Sequence, residues 1–88
     1  MQSEIAAQAH RFAENLLDAR GYSKNTVKSY LSDVLDMEVF LGTKQITKLS
    51  QIDLEILREW LWTVSQRDAA KSTLARKSAA IRSFTAWL

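Results

Sequence analysis

The chain contains no proline and only two glycines, Gly21 and Gly42. Proline and glycine are the residues that most disfavour a helix interior, so 88 residues almost free of them can run helix after helix. Each glycine follows a helical pattern, where a left-handed residue closes a helix. Helix 1 is predicted from about Glu4 to Arg20, with Ile5, Ala9, Phe12, Leu16 and Ala19 turned inward. Helix 2 starts at Ser23, a good N-cap, and runs to about Leu41. Its inward stripe is Val27, Tyr30, Leu31, Val34, Met37 and Leu41. A polar connection, Thr43 to Leu49, leads to Ser50 and Asp53, a capping-box-like start for helix 3. That helix runs to about Gln66 and buries Ile56, Leu57, Trp60, Leu61 and Val64. Arg67 to Lys71 links it to helix 4, with Ser72 as N-cap. No period-2 alternation is long enough for a strand. The expected fold is all-α: a compact bundle of four helices without a sheet. Residues 1–88 read as one domain, with no internal repeat or low-complexity tract.

A domain this small buries roughly 60–65% of its unfolded surface and needs an efficient core. An apolar content of 47%, with three Trp and three Phe, allows one. The absence of cysteine excludes disulfides and thiolate metal sites and fits a reducing cytoplasm. Glu4, Glu14 and Asp18 interrupt the apolar residues of the N-terminus, which therefore does not read as a signal peptide. No run approaches the ~18 apolar residues of a membrane helix.

Charge carries the functional signal. Lys71 to Leu88 holds four cations and no acid. At about 100° per residue, Leu74, Ser78, Ile81, Phe84, Thr85 and Leu88 form its core stripe. Ser72, Ala75, Arg76, Ala79, Arg82, Ser83 and Ala86 form a small, smooth, basic opposite face. A helix with such a face fits a B-form major groove. Arg20 to Tyr30 is a second basic block, with Arg20, Lys24 and Lys28 and no acid. Between the two, Leu31 to Glu59 holds six acids against three bases, so the folded domain can present one basic side. Helix 2 repeats the design of helix 4 more weakly, with Asn25, Lys28, Ser29 and Ser32 outward and Lys24 and Thr26 alongside. Hydroxyls, amides and free N–H groups at a helix N-terminus suit phosphate. The candidate DNA-contacting residues are Lys24, Asn25, Thr26, Lys28, Ser29, Lys71, Ser72, Arg76, Lys77 and Arg82. A solvated charged face that only keeps the chain soluble is the plainer account of the same charges.

Trp62 falls on the helical wheel with Glu55 and Arg58, away from Trp60. If exposed it marks a contact with another protein. Packing against helix 1 or the connection after Leu41 is the reading favoured here. Trp87 lies off the core stripe and is the second candidate protein contact. His10 has no ligating companion one helical turn away, and no metal site or cofactor is expected. Neither glycine belongs to a phosphate-cradling loop, no serine has a readable base partner, and Asp33 and Asp36 read as helix-surface carboxylates. No catalytic constellation is present in the pattern.

The stretch GYSKNTVKSYLSDV, Gly21 to Val34, resembles the S-x-N-T-x-x-x-Y-x-x-D segment of tyrosine recombinases. STLARKSAAIRSFTAWL, Ser72 to Leu88, resembles the last helix of their N-terminal core-binding domain. The likeness runs from about Phe12 to Leu88 and is XerC-like in its wording. It implies a SAM-like four-helix bundle that covers one face of duplex DNA. It also implies a parent enzyme that recombines DNA at a chromosomal site and resolves chromosome dimers, as a tetramer with a second recombinase subunit. The catalytic residues of that family lie in a C-terminal domain outside this sequence. The resemblance thus makes these residues a non-enzymatic DNA-binding piece, with no small-molecule substrate and no membrane. Lys77 and Ser78 depart from the family, which often has arginine or an apolar residue there.

Two other readings compete: a helix-turn-helix regulator, and a helical protein-interaction module using Trp62 and Trp87. The regulator needs a tight turn, yet Thr43 to Lys48 and Arg67 to Lys71 are longer than one. The interaction module leaves the absence of acids in helix 4 unexplained.

Overall fold

The computed structural model describes residues 3–67 and 70–88. Four helices account for most of them: α1 (Glu4–Asp18), α2 (Lys24–Thr43), α3 (Leu54–Arg67) and α4 (Lys71–Trp87). A single 3-10 turn, Leu49–Gln51, precedes α3, and no strand occurs among the described residues. The all-α expectation holds. The middle of the predicted link between helices 3 and 4 lies outside the described residues.

Local chemistry explains the starts and stops. The Ser3 hydroxyl accepts a hydrogen bond from the Ala6 N–H, 3.0 Å, and caps α1. The Ser23 hydroxyl accepts from the Thr26 N–H, 3.2 Å, and donates to Thr26 Oγ1, 2.9 Å, so α2 starts as the sequence indicates. Helix α1 ends at Asp18, leaving Ala19 exposed rather than in the core. Gly21 takes the left-handed conformation, φ +66°, and lets the Tyr22 N–H return to the Leu16 carbonyl.

The other termini correct the sequence reading. Gly42 lies within the last turn of α2, and the left-handed closing residue is Gln45, φ 60°. The Ile46 N–H donates to the Leu41 carbonyl and the Gln45 N–H to the Gly42 carbonyl, the paired bonds of a Schellman ending. Asp53, not Ser50, caps α3, its carboxylate accepting from the Ile56 N–H at 2.9 Å. Ser50 lies in the 3-10 turn, whose entry is held by the Gln51 side-chain carbonyl accepting from the Thr47 and Lys48 N–H groups. Ser72 is the second residue of α4, behind Ala70, which has no side chain to cap with.

Helix α2 packs along α1 on one side and α4 on the other, and α3 closes the bundle against α4. Ile5, Ala9, Phe12 and Leu16 of α1, Val34, Met37 and Leu41 of α2, and Trp60 and Val64 of α3 form the core with Ile81 and Phe84. Val27, Tyr30, Leu31, Ile56, Leu57 and Leu61 line it, half-buried. Helix α4 is rotated from its predicted orientation. Its buried line is Ala80, Ile81 and Phe84, flanked by half-buried Lys77 and Trp87, while Leu88 is exposed. The turn is roughly 60° at 100° per residue. Aromatic packing explains it: Phe12 offers its ring to Phe84 edge-on at 5.4 Å and to Trp87 at 5.7 Å. Trp87 is therefore half-buried, one side of it packed on Phe12 and Phe84.

Trp62 is the converse case. It is 65% exposed, contrary to the packing expected for it. The two tryptophans should part company in thermal melts. Trp87→Ala should cost about 2–3 kcal/mol, somewhat below the usual range for truncating a buried aromatic because the ring is half-buried. Trp62→Ala should stay within about 0.5 kcal/mol. Equal losses would show that α4 does not turn Trp87 inward.

Candidate nucleic-acid interface

Asp33 is an acid on the inner side of α2, one turn from Tyr30 and from Met37, and its burial is complete. It is not the surface carboxylate its sequence position suggests. An unpaired carboxylate there would cost several kcal/mol, and α4 supplies the partners. Arg76 grips it with two bonds of 2.9 Å, Nε to Oδ2 and Nη2 to Oδ1. Lys77 Nζ lies 3.0 Å from Asp33 Oδ1 and 3.5 Å from Asp36 Oδ2. Asp36 in turn accepts from Arg67 at the end of α3, Nη2 to Oδ2 at 2.7 Å. Lys77 is only 11% exposed at its side chain, its ammonium 5.9 Å from the centre of the Trp60 ring. Three helices thus meet on one charged cluster.

The cluster changes the reading of the basic face. Two of the four α4 cations, Arg76 and Lys77, are ion-paired to α2. Among the described residues, neither Lys71 nor Arg82 forms an ion pair.

The contacts also fix direction. Asp36 meets Lys77, Asp33 meets Arg76 and Lys77, and Tyr30 shares a cleft with Ala79, Arg82, Ser83 and Ala86. Helices α2 and α4 therefore run antiparallel. The start of α2, with exposed Lys24, Asn25 and Lys28 and half-buried Thr26 and Ser29, lies towards the C-terminal half of α4. Lys71 and Ser72 are exposed at the far end of α4. The ten candidate residues thus divide into a basic end with Arg82, an ion-paired middle, and a separate pair at the start of α4.

The cleft at the basic end encloses about 540 Å³. It lies between the end of α1, the turn into α2, and α4. Arg20 crosses it, Nη2 donating to the Tyr22 hydroxyl at 3.0 Å and Nη1 to Ser83 Oγ at 3.4 Å, with the guanidinium 5.0 Å from the Tyr22 ring centre. Tyr22 packs edge-on against Tyr30, centroids 6.1 Å apart. Arg82 lines the same cleft, and among the described residues no acid does. The contact residues drawn from the sequence leave out Tyr22 and also Arg20, which counts there only as part of a basic block, while Asp33 reads there as a surface carboxylate. An acid on a core stripe was a readable sign for Asp33. The meeting of Arg20 with Ser83 spans 63 residues and has no local sign.

Among the described residues no group of three His, Cys, Asp or Glu side chains is placed to hold a metal, and no helix is long and apolar enough to cross a membrane. Residues 9–88 match the family profile described as phage integrase, N-terminal SAM-like domain. This chain belongs to that family. Tyrosine recombinase XerC of Bifidobacterium longum (strain DJO10A) is 40% identical over 76 residues, covering 86% of this chain and 21% of the relative. Tyrosine recombinase XerC of Mycobacterium leprae is 38% identical over 76 residues, covering 86% of this chain and 25% of the relative. The chain thus spans about a fifth to a quarter of the length of these relatives. No solved structure matches it significantly. The span matched to the integrase SAM-like family contains both the Asp33 cluster and every residue of the cleft.

Burial works to raise the Asp36 carboxyl. The Arg67 hydrogen bonds and the charge of Lys77 outweigh it and hold that carboxyl below the usual aspartate range. A lowered folded value means that ionised Asp36 stabilises the fold above the unfolded pKa of about 3.9, and that this contribution fades as pH falls through the folded value. Asp36→Asn should therefore flatten the acid side of the stability–pH curve below about pH 4. Asp33→Asn should cost about 2–3 kcal/mol near neutral pH, below the 3–5 of a fully buried pair because Arg76 reaches water. Urea unfolding of the three proteins across pH checks both. An Asp33→Asn variant as stable as the parent would remove the cluster from its structural role.

Proposed function

We propose that this integrase SAM-like domain binds the backbone and major groove of duplex DNA through the basic end formed by α2, α4 and the turn between α1 and α2. The observation that carries the reading is the meeting of Arg20 and Arg82 on one cleft with no acid among its described residues, beside exposed Lys24, Asn25 and Lys28. Arg76 and Lys77 are engaged by Asp33 within the protein, so the contact is weighted towards the C-terminal half of α4. Arg76 and Lys77 set the angle of α4 on α2 more than they attract phosphate, while Lys71 and Ser72 provide a second, smaller contact.

The relatives are named tyrosine recombinases. We assign this domain to site-specific DNA recombination of the Xer type, in the cytoplasm, as the part that holds DNA for a catalytic domain elsewhere in a longer protein. Resolution of chromosome dimers by a tetramer of two recombinases is the process that fits. Tyr22 and Tyr30 are cleft-lining rings packed on each other, and the domain alone is assigned no chemistry.

Exposed Trp62 favours a second reading, a protein-interaction module. Salt separates the two. Non-specific duplex binding should fall near 10⁻⁴ to 10⁻⁶ M at physiological salt, roughly, and log K should fall by about 0.9 per phosphate neutralised for each decade of salt. Fluorescence anisotropy with a labelled duplex measures both. Absence of binding at low salt would end the DNA reading.

A further inference from the structure

We infer that Arg20, Tyr22 and Ser83, with Arg82 beside them, form a preformed seat for one phosphodiester of the DNA backbone. The inference rests on the DNA-binding reading above and adds to it a ligand group and three residues outside the predicted contact set. Arg20 and Ser83 are brought together from opposite ends of the chain. Both hydroxyls accept from the guanidinium, so each keeps its own O–H to donate, and among the described residues neither donates elsewhere. Arginine has no acceptor. The cluster thus offers N–H and O–H donors in a cleft with a second arginine and, among the described residues, no carboxylate to balance them.

Two features make the seat specific to an anion. Among the described residues Arg20 pairs with no acid, in contrast to Arg67 and Arg76, which are ion-paired. Its planar group is also held by the Tyr22 ring at 5.0 Å, which reduces the rotamer freedom lost when an anion is bound. Charge-assisted bonds from a fixed guanidinium and two hydroxyls match the oxygens of a phosphate. The cleft is open, as a phosphate that belongs to a long strand requires, and Ala79 and Ala86 leave its α4 wall smooth.

Three variants test the seat against wild type in anisotropy titrations with a labelled generic duplex, from 50 mM salt upward. Arg20→Gln should weaken binding about tenfold and lower the salt slope by about 0.9. Tyr22→Phe and Ser83→Ala leave the net charge unchanged and should each weaken binding about twofold to tenfold, with the slope intact. They also keep the test decisive if Arg20→Gln proves unstable in a thermal melt. Wild type that binds with a steep salt dependence while all three variants match it would overturn the seat and leave the DNA reading standing. Wild type that binds no duplex at low salt would overturn both. A parallel NMR titration with inorganic phosphate separates the sources. Shifts at Arg20, Tyr22 and Ser83 without any duplex binding would mark a free-anion site and contradict a DNA phosphodiester.

Discussion

The arrangement depends on one buried carboxylate. Asp33 has no contact with water, and such a group is tolerated only when opposite charges and hydrogen bonds surround it. Arg76 and Lys77 are consecutive residues, so both can reach it only when one particular turn of α4 faces one particular turn of α2. Asp36 and Arg67 extend the same constraint to the end of α3. The aromatic contacts of Phe12 with Phe84 and Trp87 then hold the other half of α4. Between them these contacts set the rotation of the helix and decide which of its residues face outward.

That rotation governs which cations reach the proposed DNA-binding surface. A helix with four cations and no acids looks uniformly basic. The fold ties the two in the middle to Asp33 and leaves Lys71 and Arg82 at opposite ends. Because α2 runs antiparallel, its basic N-terminal turn is brought to Arg82, and Gly21 turns the chain so that Arg20 and Tyr22 join them. Arg20, Lys24, Lys28 and Arg82 are thus gathered towards one end of the α2–α4 seam, the kind of cationic cluster that attracts phosphate.

How much of this the sequence revealed follows from the range of each interaction. The Ser23 cap, the left-handed Gly21, and the stripes of α1 to α3 are local patterns of one to four residues, and they were legible. The left-handed closure at Gln45 was not, because a non-glycine there is recognised only once Ile46 is seen packed on the core. Ser72 and Ser50 were plausible caps displaced by Ala70 and Asp53 through where the chain enters the bundle. Trp87 read as outward because its stripe was drawn through Ser78 and Leu88. Only the position of Phe12 shows which side of α4 is covered. DNA contact by Arg82 and the start of α2 was inferred from charge, whereas the pairing of Arg76 and Lys77 with Asp33 links residues more than forty positions apart and leaves no local trace.

The central claim is that the DNA-facing surface is the basic end, and a map of backbone amide shifts on adding unlabelled duplex at low salt tests it most directly. The account predicts that perturbations concentrate on residues 20–28 and 79–87, with smaller changes at Lys71 and Ser72. Perturbations centred on Trp62 and the exposed side of α3, with residues 20–28 and 79–87 unchanged, would contradict it.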